Sequence, residues 1–184
     1  MHAMQDENNT ERATASAEIG PIVSSAHLAA GASPGLSEVE FGLILAQFAF
    51  GRWMVRAMAA AGVSGLAPLD VLVLHNVAHR GRPKKLADIC HVLSVEDTHT
   101  VAYSIKKLER MRLVRSWREG KEKVVEVTQS GGEACTRYAR VREQLLVAAV
   151  KSTGPDEEML RQLGSFLRAL SGHYDQAARA ATSL

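Results

Sequence analysis

The stretch "DTHTVAYSIKKLER" (Asp97 to Arg110) mixes two kinds of residue at helical spacing. Val101, Ile105 and Leu108 recur every three or four positions and form one apolar face. Opposite them stand Thr98, His99, Thr100, Tyr103, Lys106 and Lys107. Hydroxyls and an imidazole donate and accept hydrogen bonds, and lysine ammonium groups suit phosphate oxygens. A helix with such a face can reach base edges in a major groove while its lysines meet the backbone. A second cluster follows closely. "VRSWREGKEKVVEV" (Val114 to Val127) reads as two strands with Gly120 at the bend and Arg118, Lys121 and Lys123 around the tip. A cationic finger of this kind reaches phosphates or a minor groove.

Other chemistries find less support. His75 and His79 are spaced i, i+4, which could place two imidazoles on one metal ion. No carboxylate or thiol sits at a matching spacing on the same helix, so they read as structural or solvent-facing histidines and no metal is assigned. Lys84 and Lys85 precede a short helix, where they either touch phosphates or form a solvated helix end. Tyr103 reads better as a contact to sugar or base than as a shield for the core edge. No nucleophile motif, apolar carboxylate pair or phosphate-cradling glycine loop is present, so neither an enzyme nor a cofactor is expected. Cys90 and Cys135 have no disulfide or metal spacing and read as reduced thiols of a cytoplasmic protein.

The distribution of charge agrees with the two clusters. The 184-residue chain carries a net charge of only +2, and 46% of it is hydrophobic. The segment from Arg80 to Lys123 holds twelve Lys or Arg against six Asp or Glu, which leaves the remainder at −4. Such asymmetry points to a polyanion on one face; the plainer alternative is a solvated basic surface. No apolar run is long enough to span a membrane, and the N-terminus lacks the basic-then-apolar order of a secretion signal.

The elements that must position these residues are mostly helical. Residues 1–36 read as a flexible arm, with a short helix near "PIVSSAHLAAG" (Pro21 to Gly31). Ser37 and Glu40 form a capping box for a first helix that is apolar nearly all round, which calls for cover by a second subunit. Pro68 opens a second helix and Pro83 a short third one, with Leu86, Ile89 and Cys90 inward. Asp97 caps the fourth helix. Ser130 and Glu133 suggest a capping box for a fifth, with Ala134, Tyr138, Val141, Leu145 and Ala148 on one stripe. Pro155 with Asp156, Glu157 and Glu158 opens a sixth, whose seam is Leu160, Leu163, Leu167, Leu170 and Tyr174.

Two short helices, a tight turn and a charged hairpin, in that order, are the order of a winged helix-turn-helix. On "LAPLDVLVL" (Leu66 to Leu74), "KKLADIC", "TVAYSIKKLERMRLVRS" (Thr100 to Ser116) and "VEVTQSGGEA" (Val125 to Ala134), the chain resembles the MarR-type winged-helix transcription regulators over roughly residues 37–180. The resemblance implies a mostly α fold with a small β-hairpin wing. A winged-helix lobe would span 66–129, and N- and C-terminal dimerisation helices would span 37–62 and 130–180 of a domain covering 37–184. It further implies a homodimer that regulates transcription on double-stranded DNA, with the fourth helix in the major groove and the wing on the backbone or minor groove. Relatives often bind small aromatic acids, so a small-molecule effector is a partner the resemblance brings; Trp53, Met54 and Arg56 read as core rather than its pocket. Three features depart from the family's pattern. The tip is the short "REGKEK", Arg112 stands where glycine is usual, and Glu96 and Asp97 open the recognition helix. These acids leave a second reading open, a winged-helix protein-interaction module that has lost DNA binding.

Overall fold

The computed structural model describes residues 33–184. Most of the expected arm, including the helix expected near Pro21–Gly31, lies outside the described residues. Two compact units divide the chain after Arg52. The described part of the first is the opening of helix α1, which runs from Pro34 to Ala60. The helix starts three residues before the expected Ser37 cap, because Pro34 takes a first helical position where its missing N–H costs nothing. Ser37 is instead buried within the helix. Leu36, Ile44, Leu45, Phe48 and Phe50 are all exposed along it.

The second unit, from Trp53 onward, holds the core. Met54, Ala57, Met58 and Ala61 join Val71, Val73, Leu74 and Val77 of α2 (Pro68–Ala78) in one buried cluster. Helix α1 stops in a Schellman turn: Gly62 has φ +88°, and the Val63 amide donates to the Met58 carbonyl at 3.0 Å. Helix α2 does begin at Pro68. Ala67 cannot cap it, but the Asp70 carboxylate accepts from the Ala67 amide at 2.7 Å and takes over that role.

Between α2 and the next helix the chain makes a 3-10 turn, His79–Gly81, and then a two-residue strand β1, Lys84–Lys85. The expected helix start at Pro83 is thus corrected: Lys84 and Lys85 are strand residues, and α3 spans Leu86–Val92. Helix α4, Thr98–Arg110, follows a turn and carries the Asp97 cap, whose side chain accepts from the His99 amide at 2.9 Å. Strands β2 (Val114–Glu119) and β3 (Glu122–Val127) form the hairpin, with Gly120 at φ +61° in the loop. Strand β1 pairs antiparallel with β3, Lys84 opposite Val125 and Lys85 opposite Val124, so the sheet order is β1-β3-β2.

Helix α5, Gln129–Val141, is capped by Thr128, whose hydroxyl accepts from the Gly131 amide at 3.1 Å; the expected Ser130–Glu133 box is not used. Ser130 donates to the Arg112 carbonyl instead. Arg142–Val147 is π-helical and leads into α6, Ala148–Thr153. A π segment, with its i→i+5 hydrogen bonds, takes more residues to complete each turn than an α-helix, which rotates the faces beyond it. The expected stripe therefore breaks: Ala134 and Tyr138 are buried, whereas Leu145 and Ala148 are exposed. Helix α7, Glu157–Ala181, is capped by Asp156, and none of its residues is buried in the chain. The architecture is mostly α with a small antiparallel sheet, a winged-helix fold.

Candidate nucleic-acid interface

Helix α4 is amphipathic, and burial of one side fixes which side is presented. Val101, Ser104, Ile105 and Leu108 are buried. Thr98, His99, Thr100, Tyr103 and Lys106 are exposed, Tyr103 to 65%. The Thr100 hydroxyl donates to the Asp97 carbonyl at 2.7 Å, which leaves its oxygen lone pairs outward. Arg110 was not singled out from the sequence. It is exposed and continues the stripe of His99, Tyr103 and Lys106 at helical spacing, the signal that would have found it.

Lys107 departs from the expected exposed face. It is half-buried, and its ammonium donates to Asp70 Oδ2 at 2.6 Å. The Asp70 carboxyl is pushed up by burial, but the Lys107 ammonium, the Ala67 amide and the Ser104 hydroxyl outweigh that and hold it below its ordinary value. Lys107 is therefore a strut between α2 and α4.

The wing divides in the same way. Arg118 and Lys121 are exposed and have no ion-pair partner among the described residues. Lys123 is half-buried, 3.6 Å from Glu109 Oε2 on α4. Glu109 also accepts from the Ser116 hydroxyl, so this one carboxylate ties the hairpin to the helix. Lys85 pairs with Glu122 at 2.5 Å, and Lys84 donates to the Asn76 carbonyl. Burial pulls the Lys84 ammonium below its ordinary range, helped by the nearby Arg82 and Arg80.

The corner between α4 and the wing adopts the conformation that glycine usually supplies. Arg112 has φ +59°, and the Leu113 amide donates to the Leu108 carbonyl at 2.9 Å. The Arg112 carbonyl accepts from Thr128 Oγ1 at 2.7 Å and Ser130 Oγ at 2.8 Å. Two hydroxyls thus hold a corner that arginine adopts at a steric cost.

The two histidines of α2 and its end do not converge. His75 is half-buried with its ring 4.6 Å from that of Tyr138, and burial lowers its pKa. His79 is exposed in the 3-10 turn. Among the described residues no three His, Cys, Asp or Glu side chains are grouped to hold a metal ion. Met54 is buried and Trp53 packs against the core, while Arg56 is exposed. Burial pushes the Cys135 thiol up to about 11, so it is not poised to react. Among the described residues no helix is long and apolar enough to cross a membrane.

Residues 66–131 match the family described as winged helix DNA-binding domain. Among solved structures, the chain is similar to a MarR-family transcriptional regulator from Rhodococcus sp. RHA1, at 15% identity and a TM-score of 0.59, over 74% of this chain and 94% of that one. It is likewise similar to AbfR of Staphylococcus epidermidis, at 14% identity and a TM-score of 0.62, over 77% and 92% of the two chains. A structure of reduced AbfR bound to DNA matches at 16% identity and a TM-score of 0.56, over 74% and 91%. Among curated proteins, none matches the sequence.

Proposed function

We propose that this chain is a MarR-type transcription regulator that binds double-stranded DNA as a homodimer in the cytoplasm. The observation that carries the reading is the exposed polar face of α4 beside a wing whose Arg118 and Lys121 lack acidic partners among the described residues. Thr98, His99 and Thr100 stand at the N-terminal end of the helix, the part of a recognition helix that reaches base edges. Tyr103, Lys106 and Arg110 follow on the same face, suited to sugars and phosphates. The DNA-bound AbfR structure supports DNA as the partner of this fold.

The dimer is supported by surface that one protomer leaves open. Phe48 is 63% exposed on α1, and Leu163 and Phe166 are 51% and 50% exposed on α7. Large apolar side chains left so exposed on long helices mark an interaction surface, and a second copy is the occupant consistent with the fold.

A protein-interaction module is the second reading, and one observation favours it: Lys85, Lys107 and Lys123 are each matched by a carboxylate. Selection of bound duplexes from random DNA separates the two. Enrichment of one sequence, with a preference that changes in His99→Ala or Thr100→Ala, supports the regulator. Absence of enrichment at low salt supports the module, and equal losses on every sequence in those variants would show that α4 does not read bases.

A further inference from the structure

The helical hairpin beyond the wing has features that the winged-helix lobe does not use. The chain runs through the π segment and α6, turns at 154–156, and returns along α7. Between the two limbs lies a groove of about 670 Å3, a size that suits a small molecule. Its floor is aliphatic: Leu146, Val147 and Val150 on one limb and Leu160 on the other, all half-buried. Arg142 and Arg168, both exposed, line it as well. Each stands twelve residues from the loop, Arg142 before Gly154 and Arg168 after Asp156. The antiparallel course therefore sets the two guanidinium groups at the same end of the groove.

Two observations set this groove apart from an ordinary gap between helices. The first is the π segment, because π turns are rare and gather at functional sites. Here it supplies Arg142, Leu146 and Val147 to the groove. The second is Gly164, in the interior of α7 and on the groove wall. Glycine weakens a helix interior relative to alanine. Packing does not demand it: a Cβ there would meet only Arg168 Nη1, at an ordinary 3.5 Å. The missing side chain leaves room above the aliphatic floor. The cations at the Arg142–Arg168 end are also poorly matched. Arg168 has no ion pair or hydrogen bond among the described residues. Arg142 donates to its chain neighbour Glu143 at 3.2 Å, with both side chains more than half exposed. An exposed pair of that kind contributes little and is readily exchanged. Arg161, by contrast, is held by Glu158 at 2.9 Å, and beside the loop the groove has both signs, Lys151 and Glu157.

We propose that this groove binds a medium-chain aliphatic carboxylate. Its head is held between Arg142 and Arg168, and its chain lies over Leu146, Val147 and Leu160, past Gly164. The site stands independently of DNA binding. Guanidinium groups form paired, charge-assisted hydrogen bonds with a carboxylate. From Arg168 back to Leu160 helix α7 rises about 12 Å, the reach of an alkyl chain of about ten carbons and far more than a two-carbon acid needs. Among the described residues none that lines the groove is aromatic, so an alkyl chain suits it better than a flat ring that would seek a stacking partner. A second copy seated on the apolar face of α7 does not need this groove. Leu163 and Phe166 stand about half a turn round the helix from Arg161 and Arg168.

The test is titration calorimetry on the full chain with decanoate, decanol, decyltrimethylammonium and acetate, each below the concentration at which it forms micelles. Decanoate should bind saturably, and the other three roughly tenfold more weakly or worse. Arg142→Ala with Arg168→Ala should weaken decanoate by roughly tenfold or more. Gly164→Leu should weaken it as well, with both guanidinium groups intact, because the new side chain fills the groove. Neither variant should melt at a lower temperature, since the arginines are exposed and leucine is a better helix former than glycine. That separates a lost site from a lost fold. Decanol binding as tightly as decanoate would show apolar partition without a carboxylate clamp. Acetate binding as tightly would show an anion site that does not use the floor. Either result overturns the proposal. So does decanoate binding left unchanged in both variants, or no saturable binding by the parent chain, which is also the outcome if a second copy fills the groove. None of these results bears on the regulator reading, which the duplex selection tests separately.

Discussion

Lys107 Nζ lies 2.6 Å from Asp70 Oδ2, and this contact joins α4 to the first turn of α2. Asp70 is buried and also accepts from the Ala67 amide at 2.7 Å, so one carboxylate starts α2 and anchors α4. Under the proposed function the exposed face of α4 must be held at a fixed angle to the rest of the lobe, and a charge pair at the edge of the core holds it.

Asp70→Asn keeps the shape and removes the charge. It leaves the Lys107 ammonium without its counter-charge in a half-buried position, so about 2 kcal/mol or more of stability should be lost at neutral pH. The Asp70 carboxyl titrates below its ordinary value of 3.8 in the folded state. Its contribution is therefore fully present above the unfolded value and is lost as pH falls through the folded one. Denaturant melts of parent and variant should differ by a constant amount down to about pH 5, and the gap should close at lower pH. A gap that widens in acid would mean that Asp70 is not held ionised by Lys107.

The start of α5 is packed against the start of the wing. A Cβ on Gly131 would stand 2.0 Å from the Leu113 carbonyl oxygen and 2.9 Å from Val127 Cγ2, whereas one on Gly132 would meet nothing within 4 Å. Gly131→Ala should cost about 1–3 kcal/mol by overpacking against backbone that cannot move away cheaply. Gly132→Ala, in the same helix, should be neutral or stabilise by up to about 1 kcal/mol. Thermal melts of the two variants side by side check this; equal effects would mean that Gly131 is not wedged at the corner.

Much of this arrangement is legible in the sequence, and what is hidden has a physical cause. Pro68, Asp97 and Asp156 mark helix starts because caps and proline act on their own next few residues. Strand β1 is not legible, since two residues carry no period and its existence depends on pairing with β3. The partners of Lys107 and Lys123 are hidden for a similar reason. Asp70 is 37 residues from Lys107, and a count of charges cannot say which cations are already matched. The left-handed corner at Arg112 does follow from the missing glycine, but the hydroxyls of Thr128 and Ser130 that hold it come from the far side of the wing.

On α7, Leu163 is 51% exposed and Leu167 half-buried, along an apolar face that the protomer leaves open. If a second copy covers that face, Leu163→Glu with Leu167→Glu places two carboxylates per subunit in the seam, where burial of unpaired charge is costly. Sedimentation should then show monomers or aggregates in place of a dimer. A double variant that sediments as the parent does would move the dimer interface elsewhere.

The wing cations should separate by their partners. Arg118 and Lys121 are exposed and unpaired among the described residues, so their contact with DNA would release counterions; each contributes roughly 0.9 to the slope of log affinity against log salt. Arg118→Ala with Lys121→Ala should weaken binding on all sequences and flatten that slope by up to about 2 per subunit. Its melting temperature should barely move, because charges at an exposed tip contribute little to stability. Lys123 is held by Glu109 at 3.6 Å and is less available to a phosphate. Lys123→Ala should change the slope by less than either neighbour, and it also leaves Glu109 beside the hairpin without its ammonium partner, where under the proposed function its negative charge would repel DNA. Affinity should fall in that variant through repulsion, and Lys123→Ala with Glu109→Gln should restore most of it. If Lys123→Ala flattens the slope as much as Arg118→Ala does, the ion pair opens on binding and the third wing cation reaches the backbone after all.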